Sequence, residues 1–120
     1  MYSKIVKEYF ENPINLGIIE DADAIGIIEN KICSDIIKIY IKVDKNNIIR
    51  DAKFEVKGCL PVIASCCEVT KIIKNMKVED AKNIEAELIA KNLGGLPKEK
   101  RHCAELVVKT LNKAIENISK

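Results

Sequence analysis

The chain has 120 residues, of which 48% are hydrophobic and 32% charged, and its formal net charge is +2. This length predicts one domain with its own core, over residues 1–120. The charges form no block of one sign, which argues against nucleic-acid or membrane-surface partners. Neither a bilayer-spanning apolar run nor a secretory leader is visible, so we expect a cytoplasmic protein. Its five cysteines then indicate free thiols or metal ligands rather than disulfides.

The amino-terminal segment predicts a short amphipathic helix over Met1–Phe10. It should end before Pro13, and the segment Asn12–Asp23 is predicted to be an irregular loop because it carries turn-forming residues. The side chains expected on the apolar side of the helix are Ile5, Val6, Tyr9 and Phe10.

Three strands are predicted next, over Ala24–Ile32, Ile36–Val43 and Ile48–Lys57, because apolar and polar residues alternate there. The links between them are short and turn-forming, so both should be hairpins of an antiparallel sheet with one apolar face. The residues expected on that face include Ile37, Ile39, Ile41, Val43, Ala52, Phe54 and Val56.

The rest of the chain is predicted to be helical. One helix begins at Leu60-Pro61, one or two short helices occupy Val78–Asn92, and a long helix runs from about Glu99 to Ile118 after the stop at Gly94-Gly95. The sequence therefore predicts an α+β fold, a three-stranded antiparallel sheet with helices packed mainly on one face and a long carboxy-terminal helix. The expected helical core residues are Val62, Cys66, Val69, Ile73, Met76, Ile84, Leu88, Ile89, Ala104, Val107, Val108, Leu111, Ala114, Ile115 and Ile118.

Metal-ligating side chains concentrate at one predicted edge of the sheet. The first hairpin link and the exit of the third strand lie at the same end, which brings together Cys33, Asp35 and Cys59. His102 and Cys103 occupy the first turn of the last helix, and we infer that this turn reaches the same edge. The starts of helices stabilise anionic sulfur, so thiolates are expected at Cys59 and Cys103. Such a set suits zinc or an iron–sulfur cluster, and the spacing does not choose between them.

Other readings of these residues stay open. Cys66 lies on an apolar stripe and is expected to pack as a small hydrophobic residue. Cys67 is adjacent to that stripe, and a sulfur relay or an alternative ligand is a minority interpretation. Taken alone, His102 is as easily an ordinary polar residue as a ligand. An ordinary turn role for Asp35 is a minority interpretation.

At these residues the chain resembles the NifU/IscU family of iron–sulfur cluster assembly scaffolds, a SufE/NifU-like fold. The resemblance runs along nearly the whole chain and its pieces stand in the family's order. They are Tyr9 with Asn12-Pro13-x-Asn15-x-Gly17, then Cys33-Ser34-Asp35, then Gly58-Cys59 before Ile63-Ala64-Ser65, then Leu96-Pro97-x-x-Lys100, then His102-Cys103.

The resemblance implies that Cys33, Asp35, Cys59, His102 and Cys103 are metal and cluster ligands. It also implies that sulfur arrives as persulfide from a cysteine desulfurase, with Cys103 the foremost acceptor before Cys59 and Cys33. A transient [2Fe-2S] cluster would be built from this sulfur and iron and passed to acceptor proteins, without catalytic turnover. The same ligands would hold Zn²⁺ in the resting protein, and the scaffold would be a monomer or a cluster-bridged dimer.

The chain departs from the family pattern at three places. Glu29-Asn30-Lys31 stands where the family usually has Gly-Asn-Pro. Ser34 stands where the family usually has glycine, and because serine reaches positive φ less readily, a different loop shape is expected there. The segment Leu96-Pro97-Lys98-Glu99-Lys100 resembles the site gripped by an Hsp70-type chaperone in part of the family, but Lys98 replaces the usual proline.

Two other functions compete with the scaffold. One is a zinc-dependent sulfurtransferase, which the short connection between Cys59 and His102 disfavours. The other is a nucleophilic enzyme using Cys103 and His102. It is disfavoured because neighbouring residues of a helix point about 100° apart.

Overall fold

A computed structural model describes residues 2–31 and 34–118. It contains a three-stranded antiparallel sheet in the order β1-β2-β3, as predicted. The strands are β1 (Ala24–Asn30), β2 (Asp35–Val43) and β3 (Ile49–Lys57). The predicted first strand ran to Ile32, which lies outside the described residues.

Five α-helices are described, and they confirm the α+β class. They are α1 (Lys4–Glu11), α2 (Leu60–Ile73), α3 (Val78–Ala81), α4 (Ala86–Asn92) and α5 (Arg101–Glu116). A 3₁₀ turn, Lys98–Lys100, precedes α5, so the last helix begins two residues later and ends two residues earlier than predicted.

The alternating strands place one apolar face of the sheet against α2 and α5. Ile37, Ile39 and Phe54 are fully buried on that face, and the register pairs Ile39 with Phe54 across β2 and β3. Tyr40 lies on the opposite face and is nevertheless 8% exposed, because its hydroxyl donates a hydrogen bond to the Glu55 carboxylate.

The long helix α5 crosses the sheet closely at Gly26 of β1. A Cβ atom at residue 26 would stand 2.3 Å from the backbone oxygen of Thr110 and 2.5 Å from the backbone nitrogen of Ala114. Glycine is therefore required by helix-on-sheet packing at this point. The contact fixes the height of α5 above the sheet, and the same helix carries His102 and Cys103 at its start.

The loop after α1 is tied to the sheet and to α2. Leu16 forms a parallel bridge with Phe54 at the outer edge of β3. Asn15 has a positive φ of 62°. Its side-chain amide donates a hydrogen bond to the Thr70 hydroxyl at 3.1 Å, and its side-chain oxygen accepts one from the Lys74 ammonium group. The loop is irregular, as predicted, but it is anchored.

Three residues that the sequence places on the apolar sides of helices are exposed. Ile5 and Phe10 of α1 are 40% and 58% exposed, because only the line of Val6 and Tyr9 faces α2. Leu88 is 43% exposed, since the short helix α4 buries Ile89 instead.

Candidate metal and cluster site

One end of the sheet brings Asp35 beside the turn into α2. Asp35 is the first residue of β2, paired with Asn30, and the last pair between β2 and β3 is Ile36 with Lys57. Gly58 follows β3 directly. The Asp35 carboxylate lies over it, since an added Cβ at Gly58 would meet the Asp35 Oδ1 at 3.0 Å. The predicted convergence of Asp35 and the Cys59 segment is observed.

Cys59 is the N-cap residue of α2. Its carbonyl accepts the N–H groups of Val62 and Ile63 at 3.1 Å, whereas its thiol makes no capping hydrogen bond. Pro61 stands in the first turn, where a missing N–H costs nothing. The half-buried thiol is thus held at the start of a fourteen-residue helix and remains free for another partner.

The first turn of α5 brings a second thiol to the first. Cys103 Sγ lies 3.9 Å from Cys59 Sγ and 3.7 Å from His102 Nε2. Two thiolates bonded to one tetrahedral zinc ion are separated by about 3.8 Å, and a thiolate and an imidazole nitrogen by about 3.6 Å. Both observed distances therefore fit ligands of a common ion.

The Asp35 side chain is buried without a partner among the described residues. It is only 5% exposed, and its carboxylate makes no hydrogen bond or ion pair with residues 2–31 or 34–118. Burying a carboxylate is costly unless it is paired or binds a metal. No fully enclosed side-chain nitrogen or oxygen lacks a partner in the described part of the chain, so the Asp35 oxygens retain some contact with solvent.

The electrostatics of the site differ from the expectation at Cys103. The pKa of Cys103 is raised to about 12, mainly by burial and next by the neighbouring Cys59 thiol. The Asp35 carboxylate adds to the rise, and the Lys100 ammonium group opposes it. The predicted stabilisation of a thiolate by the helix start is thus outweighed. Asp35 and the two thiols repel one another when ionised, and a bound cation would relieve this repulsion.

Cys33, another predicted ligand, lies outside the described residues. Within the described ranges, no three His, Cys, Asp or Glu side chains already stand close enough to hold a metal ion; the contacts are pairwise, through Cys103. Ser34 is exposed and has a positive φ of 57°. Serine thus adopts the left-handed conformation here, which it reaches less readily than glycine.

The two remaining cysteines are fully buried in α2. Burial raises the pKa of Cys66 well above its usual value, and it raises that of Cys67 to about 11. Cys66 therefore packs as predicted. A raised pKa also gives no support to a sulfur relay at Cys67, because thiolate is the reactive form.

The predicted separation of the His102 and Cys103 side chains is wrong. The two side chains approach to 3.7 Å although they are adjacent on a helix. The raised pKa of Cys103 disfavours its thiolate, so the contact with His102 alone does not make this thiol an active nucleophile.

One polar network behind the site was missed from the sequence. Glu68, 6% exposed, accepts from the Tyr9 hydroxyl at 2.8 Å and from the Asn92 amide at 3.1 Å. It joins α1, α2 and α4. A glutamate at an apolar helix position was the available signal, since buried carboxylates require such partners.

Comparison with known proteins gives the same picture over the whole chain. The family model for the NifU-like N terminal domain matches residues 1–120. The iron–sulfur cluster assembly scaffold protein IscU 1 of Archaeoglobus fulgidus is 45% identical over 115 residues, covering 96% of this chain and 74% of that protein. The nitrogen fixation protein NifU of Azotobacter chroococcum is 40% identical over 117 residues, covering 97% of this chain and 38% of that protein.

Two solved structures share the fold. The amino-terminal part of a NifU-like protein from Brucella abortus has a TM-score of 0.73 at 16% identity, covering 97% of this chain and 92% of that chain. A scaffold protein for the SUF system from Fervidobacterium islandicum has a TM-score of 0.72 at 24% identity, covering 95% and 96%. No helix in residues 2–31 and 34–118 has the length and apolar character to span a bilayer. By the match to the family model and by its identity to these relatives, the chain belongs to the NifU/IscU family.

Proposed function

We propose that this protein is a scaffold on which an iron–sulfur cluster is assembled and then passed to acceptor proteins. The observation that carries the proposal is the approach of Cys59 and Cys103 to 3.9 Å at one rim of the fold. Membership of a family whose relatives are named cluster assembly scaffolds gives that convergence its chemistry. The zinc-dependent sulfurtransferase has no observation in its favour.

The donor set suits a cargo that must leave again. Cys59 and Cys103 supply soft thiolates, while Asp35 is a hard oxygen donor and His102 an exposed imidazole. Clusters that stay in place are usually held by four thiolates. We propose Cys33, Asp35, Cys59, His102 and Cys103 as ligands of a transient [2Fe-2S] cluster, and Asp35 as the ligand most easily exchanged. The same set suits Zn²⁺ in the resting protein.

Sulfur is proposed to arrive from a cysteine desulfurase that carries a cysteine persulfide. The acceptor thiolate attacks the outer sulfur, the donor's sulfur–sulfur bond breaks, and the donor cysteine leaves as thiolate. Cys103 is the first candidate acceptor, followed by Cys59 and Cys33. Burial raises the pKa of Cys103, so a cation bound beside it would favour the thiolate that makes this attack.

The proposed partners include an Hsp70-type chaperone and a second copy of the protein. In the segment Leu96-Pro97-Lys98-Glu99-Lys100 only Leu96 is buried, at 5% exposure, so an Hsp70-type chaperone that grips Leu96 itself would first have to expose it. If the protein forms a dimer, we propose that a cluster shared between two copies joins them. Neither role involves turnover, and the protein is a carrier rather than an enzyme in this proposal.

Anaerobic reconstitution with Fe²⁺, cysteine, a desulfurase and a thiol reductant, which supplies the two electrons that convert each persulfide sulfur to sulfide, tests the proposal. We expect the absorption and Mössbauer spectra of a [2Fe-2S] cluster, weakened more by Cys33→Ala, Cys59→Ala or Cys103→Ala than by the matched Cys66→Ala. Asp35→Ala should slow transfer to an apo-ferredoxin. Equal loss with Cys66→Ala would contradict the ligand set, and unchanged transfer by Asp35→Ala would contradict the role of the hard ligand. Metal analysis of the protein as purified tests for Zn²⁺.

A further inference from the structure

Gly58 is the one described glycine whose absent side chain makes room for a candidate ligand. Its φ lies outside the left-handed region, unlike that of Gly17, Gly94 and Gly95. Backbone conformation therefore does not require glycine there. The lack of space beside residue 58 does require glycine, because a Cβ atom there would stand 3.0 Å from Oδ1 and 3.3 Å from Cγ of Asp35.

These distances are tighter than ordinary van der Waals contact, so a side chain at residue 58 would have to displace its neighbour. The neighbouring carboxylate has no hydrogen bond or ion pair to the described residues that would hold it in place. It can therefore rotate away at low cost. The other nearby atom, Val62 Cβ at 3.5 Å, is at an ordinary distance.

We infer that Gly58 is a positioning residue: by leaving empty the volume that a side chain would fill, it keeps the Asp35 carboxylate at the turn into α2, where Cys59 meets Cys103. The inference rests on the proposed function, because it assigns Asp35 to the same ligand set. Gly58 itself touches no ion. Any substitution should act through Asp35, and serine should act twice, since its hydroxyl would also occupy the carboxylate with a hydrogen bond.

Binding of Co²⁺, followed by its thiolate absorption and by competition with a chelator, gives a readout independent of cluster transfer. Gly58→Ala should weaken Co²⁺ binding about tenfold, the lower end of what misplacing a supporting group costs a metal site. Gly58→Ser should weaken it at least as much. The two sites form a double-mutant cycle with Asp35→Ala, and in that background Gly58→Ala should change the affinity less than twofold.

The unfolding of each metal-free variant in urea completes the test. Gly58→Ala should remain folded with little loss of stability, because Asp35 yields, and a crystal structure should show its carboxylate rotated. Unchanged Co²⁺ affinity, an undiminished loss in the Asp35→Ala background, or failure of Gly58→Ala to fold would each overturn the inference. Failure of the unsubstituted protein to bind Co²⁺ would instead overturn the proposed function on which it rests.

Discussion

Replacing Gly26 by alanine should destabilise the fold and weaken metal binding at the Cys59 and Cys103 site, although Gly26 is not part of that site. The added methyl would lie 2.3 Å and 2.5 Å from backbone atoms of Thr110 and Ala114, about 1 Å closer than carbon atoms approach at their optimum. Backbone cannot rotate away as a side chain can. The helix α5 must therefore rise from β1, and such overpacking costs about 3 kcal/mol, partly offset by about 0.5 kcal/mol from removing a glycine from a strand.

The consequence extends to the start of the same helix. Cys103 lies about 10 Å along α5 from Thr110, at about 1.5 Å per residue, so a shift of α5 by about 1 Å would be felt in the 3.9 Å separation of the two sulfurs. Urea unfolding of Gly26→Ala should show the loss of about 2–3 kcal/mol, and Co²⁺ titration should show weakened binding. Ile27→Ala, on the exposed face of the same strand, is the matched control. A Gly26→Ala variant within about 0.5 kcal/mol of that control would refute the packing argument.

Three further predictions concern stability. Glu68→Ala should lower the unfolding free energy by about 2–3 kcal/mol, because it strands the Tyr9 hydroxyl and the Asn92 amide, whereas the exposed Glu8→Ala should have little effect in the same urea titration. Ser34→Val should cost about 1–2 kcal/mol at the positive φ of residue 34, while Ser34→Gly should not; equal stability of the two variants would contradict the left-handed assignment. Since burial raises the pKa of Cys67 to about 11, the thiol ionises first in the unfolded chain, at about pH 8.5. The contribution of Cys67 to the unfolding free energy is therefore fully present below that pH and is lost as the pH rises towards 11. At pH 10 this loss is about 2 kcal/mol. Under reducing conditions, Cys67→Ala should flatten the fall in unfolding free energy between pH 8 and pH 10.

Most of the fold could be predicted from local sequence patterns, because strands and hairpins depend on residues that are close together in the chain. Alternation along Ile37, Ile39 and Ile41 places these side chains on the buried face. The convergence of Asp35 with Cys59 also followed from topology, since both flank the same end of an antiparallel sheet.

What the sequence could not reveal depends on contacts between distant elements. The exposure of Ile5 and Leu88 is decided by which turn of a short helix meets its neighbour, and periodicity alone does not define that rotation. The raised pKa of Cys103 reflects burial and a facing thiol, and helix position alone suggested the opposite. Gly26 and Gly58 read as ordinary glycines until the atoms opposite them are known.

The Leu16 bridge leaves the sheet with two unlike borders. The β3 border is occupied by the segment that pairs through Leu16 with Phe54, while β1 pairs only with β2 among the described strands. Backbone pairing between molecules through this sheet would therefore have to use β1, where the Asn117 amide already occupies the Ile25 carbonyl. Two β1 borders paired antiparallel about a two-fold axis would consume each other, so growth would stop at a pair and could not propagate into a filament.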